Sequence, residues 1–141
     1  MNTRAQRLQP AADQARQKTE DALAQLATAQ QQVAKARQQL AELEQYRREY
    51  AAAGNGAQSV SALLNRQQFV ARIDQAIEQQ VVEVERQQRR LEQVRANWRN
   101  AHARESALDT VIAQHVEHER RAEERREQAE IDERMQHRPP R

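Results

Sequence analysis

The sequence predicts an all-α fold: an antiparallel two-helix coiled-coil hairpin with a longer second helix. Three observations carry that expectation. The two glycines of the 141-residue chain, Gly54 and Gly56, stand on either side of Asn55, and these residue types enter left-handed backbone geometry at little cost. Long Ala, Gln, Glu, Arg and Leu-rich stretches without glycine flank this point, and proline is confined to Pro10, Pro139 and Pro140. On both sides apolar residues recur at alternating steps of three and four, which keeps one stripe turned to a partner and predicts left-handed coiling. A helix-forming chain broken once near its middle reads as a helical hairpin. The expected organisation is one coiled-coil unit over 1–141: a helix over about 10–52, a turn over about 53–60, a helix over about 61–136 and a disordered tail over 137–141.

The first helix is expected from about Pro10, which fits an opening helical turn because its missing N–H has no intrahelical partner there. A frayed or separate turn would precede it. Its apolar ladder runs Leu8, Ala12, Ala15, Thr19, Ala22, Leu26, Ala29, Val33, Ala36, Leu40, Leu43, Arg47, Tyr50, with Thr19 and Arg47 as its interruptions. After the break, Ser59 or Ser61 can cap the second helix by accepting an orphan N–H. The second ladder runs Leu63, Arg66, Val70, Ile73, Ile77, Gln80, Val84, Gln87, Leu91, Val94, Trp98, Ala101, Glu105, Leu108, Ile112, His115. It is bulkier than the first, so the stripes complement each other rather than themselves. A turn near Gly56 makes facing positions sum to about 113 at equal rise per residue. Leu43 then faces Val70, Leu40 faces Ile73, Ala36 faces Ile77, Ala29 faces Val84, and Ala15 faces Trp98. Gln80 and Gln87 are polar seam positions, which help to fix register.

The last helical stretch, from Glu117 to Arg134, is dominated by charge. Glu117 with Arg121, Arg120 with Glu124, Arg126 with Glu130 and Glu130 with Arg134 are spaced for i,i+4 pairing, while Glu123 with Glu127 repels. A lone helix held by such pairs is marginal, so this stretch invites a partner or frays.

Composition excludes several classes of function. Hydrophobic residues make up 38% of the chain, and the aromatics are Tyr46, Tyr50, Phe69 and Trp98, enough for a narrow seam and too few for a layered core. A net charge of +2 and a pI near 9.5 raise the question of nucleic acid. Charge signs alternate along the chain, however, and phosphate backbones demand clustered, uncompensated Lys and Arg. Without cysteine there are neither disulfides nor thiolate sites, which points to a reducing compartment. The first residues lack the apolar run of a signal peptide, and no stretch approaches a membrane span.

Chemistry is equally sparse. The two glycines have neither the lysine nor the spacing of a phosphate loop. Ser59, Ser61 and Ser106 have no base near them in sequence, and the carboxylates stand beside Arg, where solvated pairing is the expected role. His115 and His118 share a helix face but lack a third ligand. No catalytic, metal-binding or cofactor-binding residue is expected, and the chain reads as no enzyme. What stands out is a concentration of aromatics near the turn. Gln39, Leu43, Tyr46 and Tyr50 follow steps of four, three and four, and Phe69, Ile73, Ala76 and Gln80 repeat them on the other arm. This set is either a well-packed end of the hairpin or an exposed binding stripe, since aromatics anchor interfaces.

Further residues extend the pattern: Leu43, Tyr46 and Tyr50 in LEQYRREY, Asn65 and Phe69 in NRQQF, and Asp74, Ile77 and Gln80 in DQAIEQQ. Arg95 and Trp98 in RANW follow, and then Glu127, Gln128, Asp132 and Glu133 in EQAEIDE. Together and in this order they resemble the FliJ proteins of the bacterial flagellar type III export apparatus. The resemblance implies a hairpin similar to the γ stalk of rotary ATP synthases, engaging the central hole of the hexameric export ATPase FliI. It also implies contact with the cytoplasmic domain of the export gate protein FlhA, and association with FliH and export chaperones. The implied location is cytoplasmic, at the cytoplasmic face of the inner membrane export apparatus and without insertion into the bilayer. The family's gate-binding positions fall on Gln39, Leu43, Tyr46, Tyr50, Phe69, Ile73, Ala76 and Gln80. The competing expectations are a stalk of a type III injectisome and a structural homodimer whose helices pair between chains.

Overall fold

The computed structural model describes residues 3–52, 56 and 59–137. It contains two helices, α1 over Arg4–Ala52 and α2 over Val60–Gln136, of 49 and 77 residues. The fold is an all-α two-helix hairpin with the longer helix second. Residues 22–98 form one compact unit, called central here, and residues 1–21 with 99–141 form a terminal one. Gly54 and Asn55 of the expected turn, and Pro139 and Pro140 of the expected tail, lie outside the described residues. Gly56 does not have a positive φ, and a side chain there would meet nothing within 4 Å. Its conformation therefore does not require glycine.

Helix α1 starts earlier than the proline suggests. Thr3 Oγ1 accepts from the Gln6 N–H at 3.1 Å, and Gln6 Oε1 accepts from the Thr3 N–H at 3.1 Å. This reciprocal capping box satisfies two otherwise orphan donors, and the helix begins at Arg4 with Pro10 inside it. Pro10 forgoes one backbone hydrogen bond and crowds the carbonyl four residues back, a local cost that the cap upstream helps to offset. For α2 the structure chooses between the candidate caps. Ser59 Oγ accepts from the Ala62 N–H at 3.1 Å and the Ser59 carbonyl from the Leu63 N–H at 3.0 Å.

In the central unit the buried side chains are Ala29, Val33 and Ala36 on α1 and Ile73, Val84 and Val94 on α2. Small residues line one helix and β-branched residues the other, as the two ladders predict. Burying each Val or Ile contributes roughly 1.5–3 kcal/mol. Leu26, Leu40, Leu43 and Tyr50 on α1, with Val70, Ile77, Gln80, Leu91 and Trp98 on α2, are half-buried. The ladder positions that escape burial are Arg47 and Leu63.

The contacts across this unit refine the register. Gln80 bonds to Ala36 and Gln39, Phe69 packs on Tyr50, and Asp74 pairs with Arg47. A sum of about 113 would have set them opposite Val33, Glu44 and Gln39. Every contact is displaced in the same direction, towards the C-terminus of α1. Helical side chains lean towards the N-terminus of their own helix. In an antiparallel pair the two leans oppose, so touching side chains come from Cα positions offset in this sense, most of all for Arg and Tyr.

In the terminal unit, Ala5, Ala12 and Ala15 are buried on α1, while Ala101, Glu105, Leu108, Ile112 and His115 on α2 are half-buried. Arg16 Nε reaches Glu105 Oε1 at 3.8 Å. From Glu123 to His137 every residue is exposed. Ion pairs along one helix dominate here: Glu117 binds both Arg120 and Arg121, at 2.7 and 3.0 Å, and Arg120 also pairs with Glu124. Arg126 turns back to Glu123 at 2.8 Å instead of forward to Glu130, an i,i+3 pairing.

Candidate partner-binding surface

All eight predicted site residues lie in the central unit, and the structure divides them into three kinds. Ile73 is 7% exposed and belongs to the core. Leu43, Tyr50, Ala76 and Gln80 are half-buried along the seam, whereas Gln39, Tyr46 and Phe69 are exposed. The division follows from helix geometry. Ile73 repeats with the seam positions Val70 and Ile77, while Tyr46 and Phe69 each fall one step to the side of a seam position.

Three rings join the two helices. Tyr46 and Tyr50, four residues apart on one face of α1, stack with centroids 5.7 Å apart and planes 18° apart. Tyr50 meets Phe69 of α2 at 4.5 Å and 31°. Pairs in this range contribute about 0.5–1.5 kcal/mol beyond their buried area. Tyr50 is thus the middle ring, half-buried and held from both sides. Its neighbours keep much of their surface: Tyr46 is 54% and Phe69 39% exposed. An aromatic surface supported from below by the seam suits an interface anchor, because the rings lose little freedom when a partner covers them.

At the other limit of the set, the Gln80 side-chain amide donates to the Ala36 carbonyl at 2.9 Å and to Gln39 Oε1 at 3.2 Å. The polar seam position is thereby satisfied, and Gln39 and Gln80 are tied together as one polar group. Between the rings and the glutamines, Arg47 and Asp74 form a cross-helix ion pair. Hydrogen bonding to Asp74 raises the Arg47 pKa further above its ordinary value, with Coulombic attraction adding to the effect. The sequence reading marked Arg47 as a break in the ladder and assigned it no partner. The available signal was Asp74, a charge next to the core residue Ile73.

Val60 and Leu64, to which the sequence assigns no role, and Leu63, expected in the seam, expose apolar side chains in the opening turns of α2. Surface hollows on the protein lie along a single helix, as at Glu85, Arg89 and Gln93, or in the shallow groove of Ala24, Thr28 and Arg90. Among the described residues no group of three or more His, Asp or Glu side chains is placed to hold a metal ion. No helix among them is long and apolar enough to cross a membrane.

The fold and this surface define a coiled-coil hairpin that presents a pre-formed aromatic patch across its two helices. The family model described as Flagellar FliJ protein matches residues 4–141, and the chain belongs to that family. It is accordingly a component of flagellar protein export. Comparison with curated proteins gives no match.

Proposed function

We propose that this protein is a non-enzymatic coiled-coil stalk of the type III export apparatus, coupling the export ATPase FliI to the export gate protein FlhA. In this reading the central unit offers Gln39, Leu43, Tyr46, Tyr50, Phe69, Ile73, Ala76 and Gln80 to the cytoplasmic domain of the gate. FliH and export chaperones are further partners, and the stalk works at the cytoplasmic face of the inner membrane in support of motility. The observation that carries it is the row Tyr46, Tyr50 and Phe69 in a member of the FliJ family: stacked across both helices, yet exposed at its two outer rings. Ile73, 7% exposed, is the most buried member of this set and offers the gate the least surface. Alternating surface charge gives the helices many weak, salt-sensitive contacts, which suits a shaft that must not lock in place.

Truncating an exposed ring tests the reading. Tyr46→Ala and Phe69→Ala are expected to keep the far-ultraviolet circular dichroism of the parent and to lose binding to the purified FlhA cytoplasmic domain by at least about tenfold, as hot-spot aromatics do. Unchanged binding in both variants would refute the assignment, and unfolding of both would show that the rings serve only the hairpin. The flagellar setting is favoured over an injectisome by the family match.

A further inference from the structure

Three exposed charges border the aromatic patch, two acidic on α1 and one basic on α2. Glu42 lies four residues before Tyr46 and Glu49 three after it, so both flank the ring on one face of α1. Arg72 lies three residues after Phe69 and flanks that ring on α2. All three are exposed. Some charges of this unit are held in ion pairs: Arg47 with Asp74, Arg86 with Glu83, Arg95 with Glu92. Glu42 and Glu49 instead accept from the neutral amides of Gln38 and Gln45, each at 3.3 Å, so their charge is left uncompensated. Among the described residues Arg72 has no hydrogen-bond or ion-pair partner. Lys35, a turn before Gln39, limits the negative edge to the stretch around Tyr46.

We infer that the patch has a charge polarity that orients its partner: a polypeptide surface with an apolar centre, Lys or Arg along the α1 edge at Glu42 and Glu49, and Asp or Glu at the α2 edge facing Arg72. The inference rests on the gate-binding reading above and specifies the chemistry of the partner's face. Solvated surface charges are ordinary on coiled coils. These three are set apart because they flank exposed rings, acidic on α1 and basic on α2. Rim charges act mainly on encounter rate and orientation, while buried aromatic anchors act on dissociation.

Kinetics of binding to the purified cytoplasmic domain of the gate protein, at low and high salt, separate these roles. The doubly reversed variant Glu42→Arg/Glu49→Arg is expected to lower kon about tenfold at low salt, to leave koff within about twofold, and to lose most of the salt dependence of kon. The isosteric pair Glu42→Gln/Glu49→Gln moves kon in the same direction by less, and Arg72→Glu slows association independently. Glu44→Arg, off the face that carries Tyr46, leaves kon unchanged. The proposal is overturned if reversal at Glu42 and Glu49 leaves kon unaltered or raises it, or if Glu44→Arg slows binding as much. If Tyr46→Ala and Phe69→Ala lose binding while the charge variants do not, the polarity is wrong and the gate surface stands. If none of these variants alters binding, the gate surface itself falls.

Discussion

The central unit and the stretch of α2 from Glu117 to Arg134 are both helical, yet the helix is held by different forces in each. In the central unit, Ala29, Val33 and Ala36 meet a seam of Ile73, Val84 and Val94 removed from water. Beyond Glu123 no side chain is buried, and the helix carries i,i+3 and i,i+4 ion pairs such as Arg120 with Glu117 and Glu124. Packing is cooperative and insensitive to salt, whereas exposed ion pairs are individually weak and screened. Isolated helices are marginal in water without a packed face. Equal helicity therefore does not mean equal resistance to unfolding, and the charged stretch is the part of α2 most open to stabilisation by a partner.

A charge placed in the seam should have the largest effect on stability. Val94 is 1% exposed, and Val94→Asp is expected to cost roughly 3 kcal/mol or more, since it takes a carboxylate out of water into an apolar seam. Thermal melts followed by circular dichroism would show the loss of most helical signal at a much lower temperature, leaving a residual that fades on adding salt. A melt unchanged within a degree or two would mean that the seam does not hold the helices.

A smaller effect is expected from Gln80→Ala, which removes the bonds to Ala36 and Gln39. About 1 kcal/mol is the scale for such a partly buried hydrogen bond, read as a modest shift in the urea midpoint. A stabilised variant would show that the polar seam position serves register rather than strength.

The least effect is expected from acid. Hydrogen bonds from Arg120 and then Arg121 lower the Glu117 pKa to about 2, below an unfolded value of about 4.5. A depressed carboxylate stabilises the folded form fully above the unfolded pKa and loses that contribution as pH falls through the folded one. Titration from pH 6 to pH 2 should therefore reduce helical signal slightly, starting below about 4.5, with Glu117→Gln lacking this component. A rise in helicity over that interval in the parent alone would contradict the pairing.

The seam was legible because burial imposes a period. Nearly every ladder position is buried or half-buried, and the exception on α1, Arg47, is the one whose charge interrupts the ladder. The start of α1 was misread because Pro10 is a loud signal and the Thr3–Gln6 box a quiet one, although the box fixes the terminus. All eight candidate site residues could be placed on their helices in advance, with Leu43, Tyr50, Ile73 and Gln80 on the ladders and Gln39, Tyr46, Phe69 and Ala76 beside them. Spacing places Ile73 in the seam and Phe69 beside it, but it does not show that Phe69 packs on Tyr50 while staying 39% exposed. Pairings between long side chains, such as Arg47 with Asp74, were out of reach because they depend on rotamers and on opposed leans in the two helices.

The division of the central seam into an alanine-rich side and a β-branched side carries one more consequence. Two copies of α1 laid together would leave unfilled space, and two copies of α2 would crowd, so each helix is best matched by the other helix of its own chain. Steric mismatch thus disfavours α1 beside a second α1 and α2 beside a second α2, leaving α1 with α2 as the matched pairing.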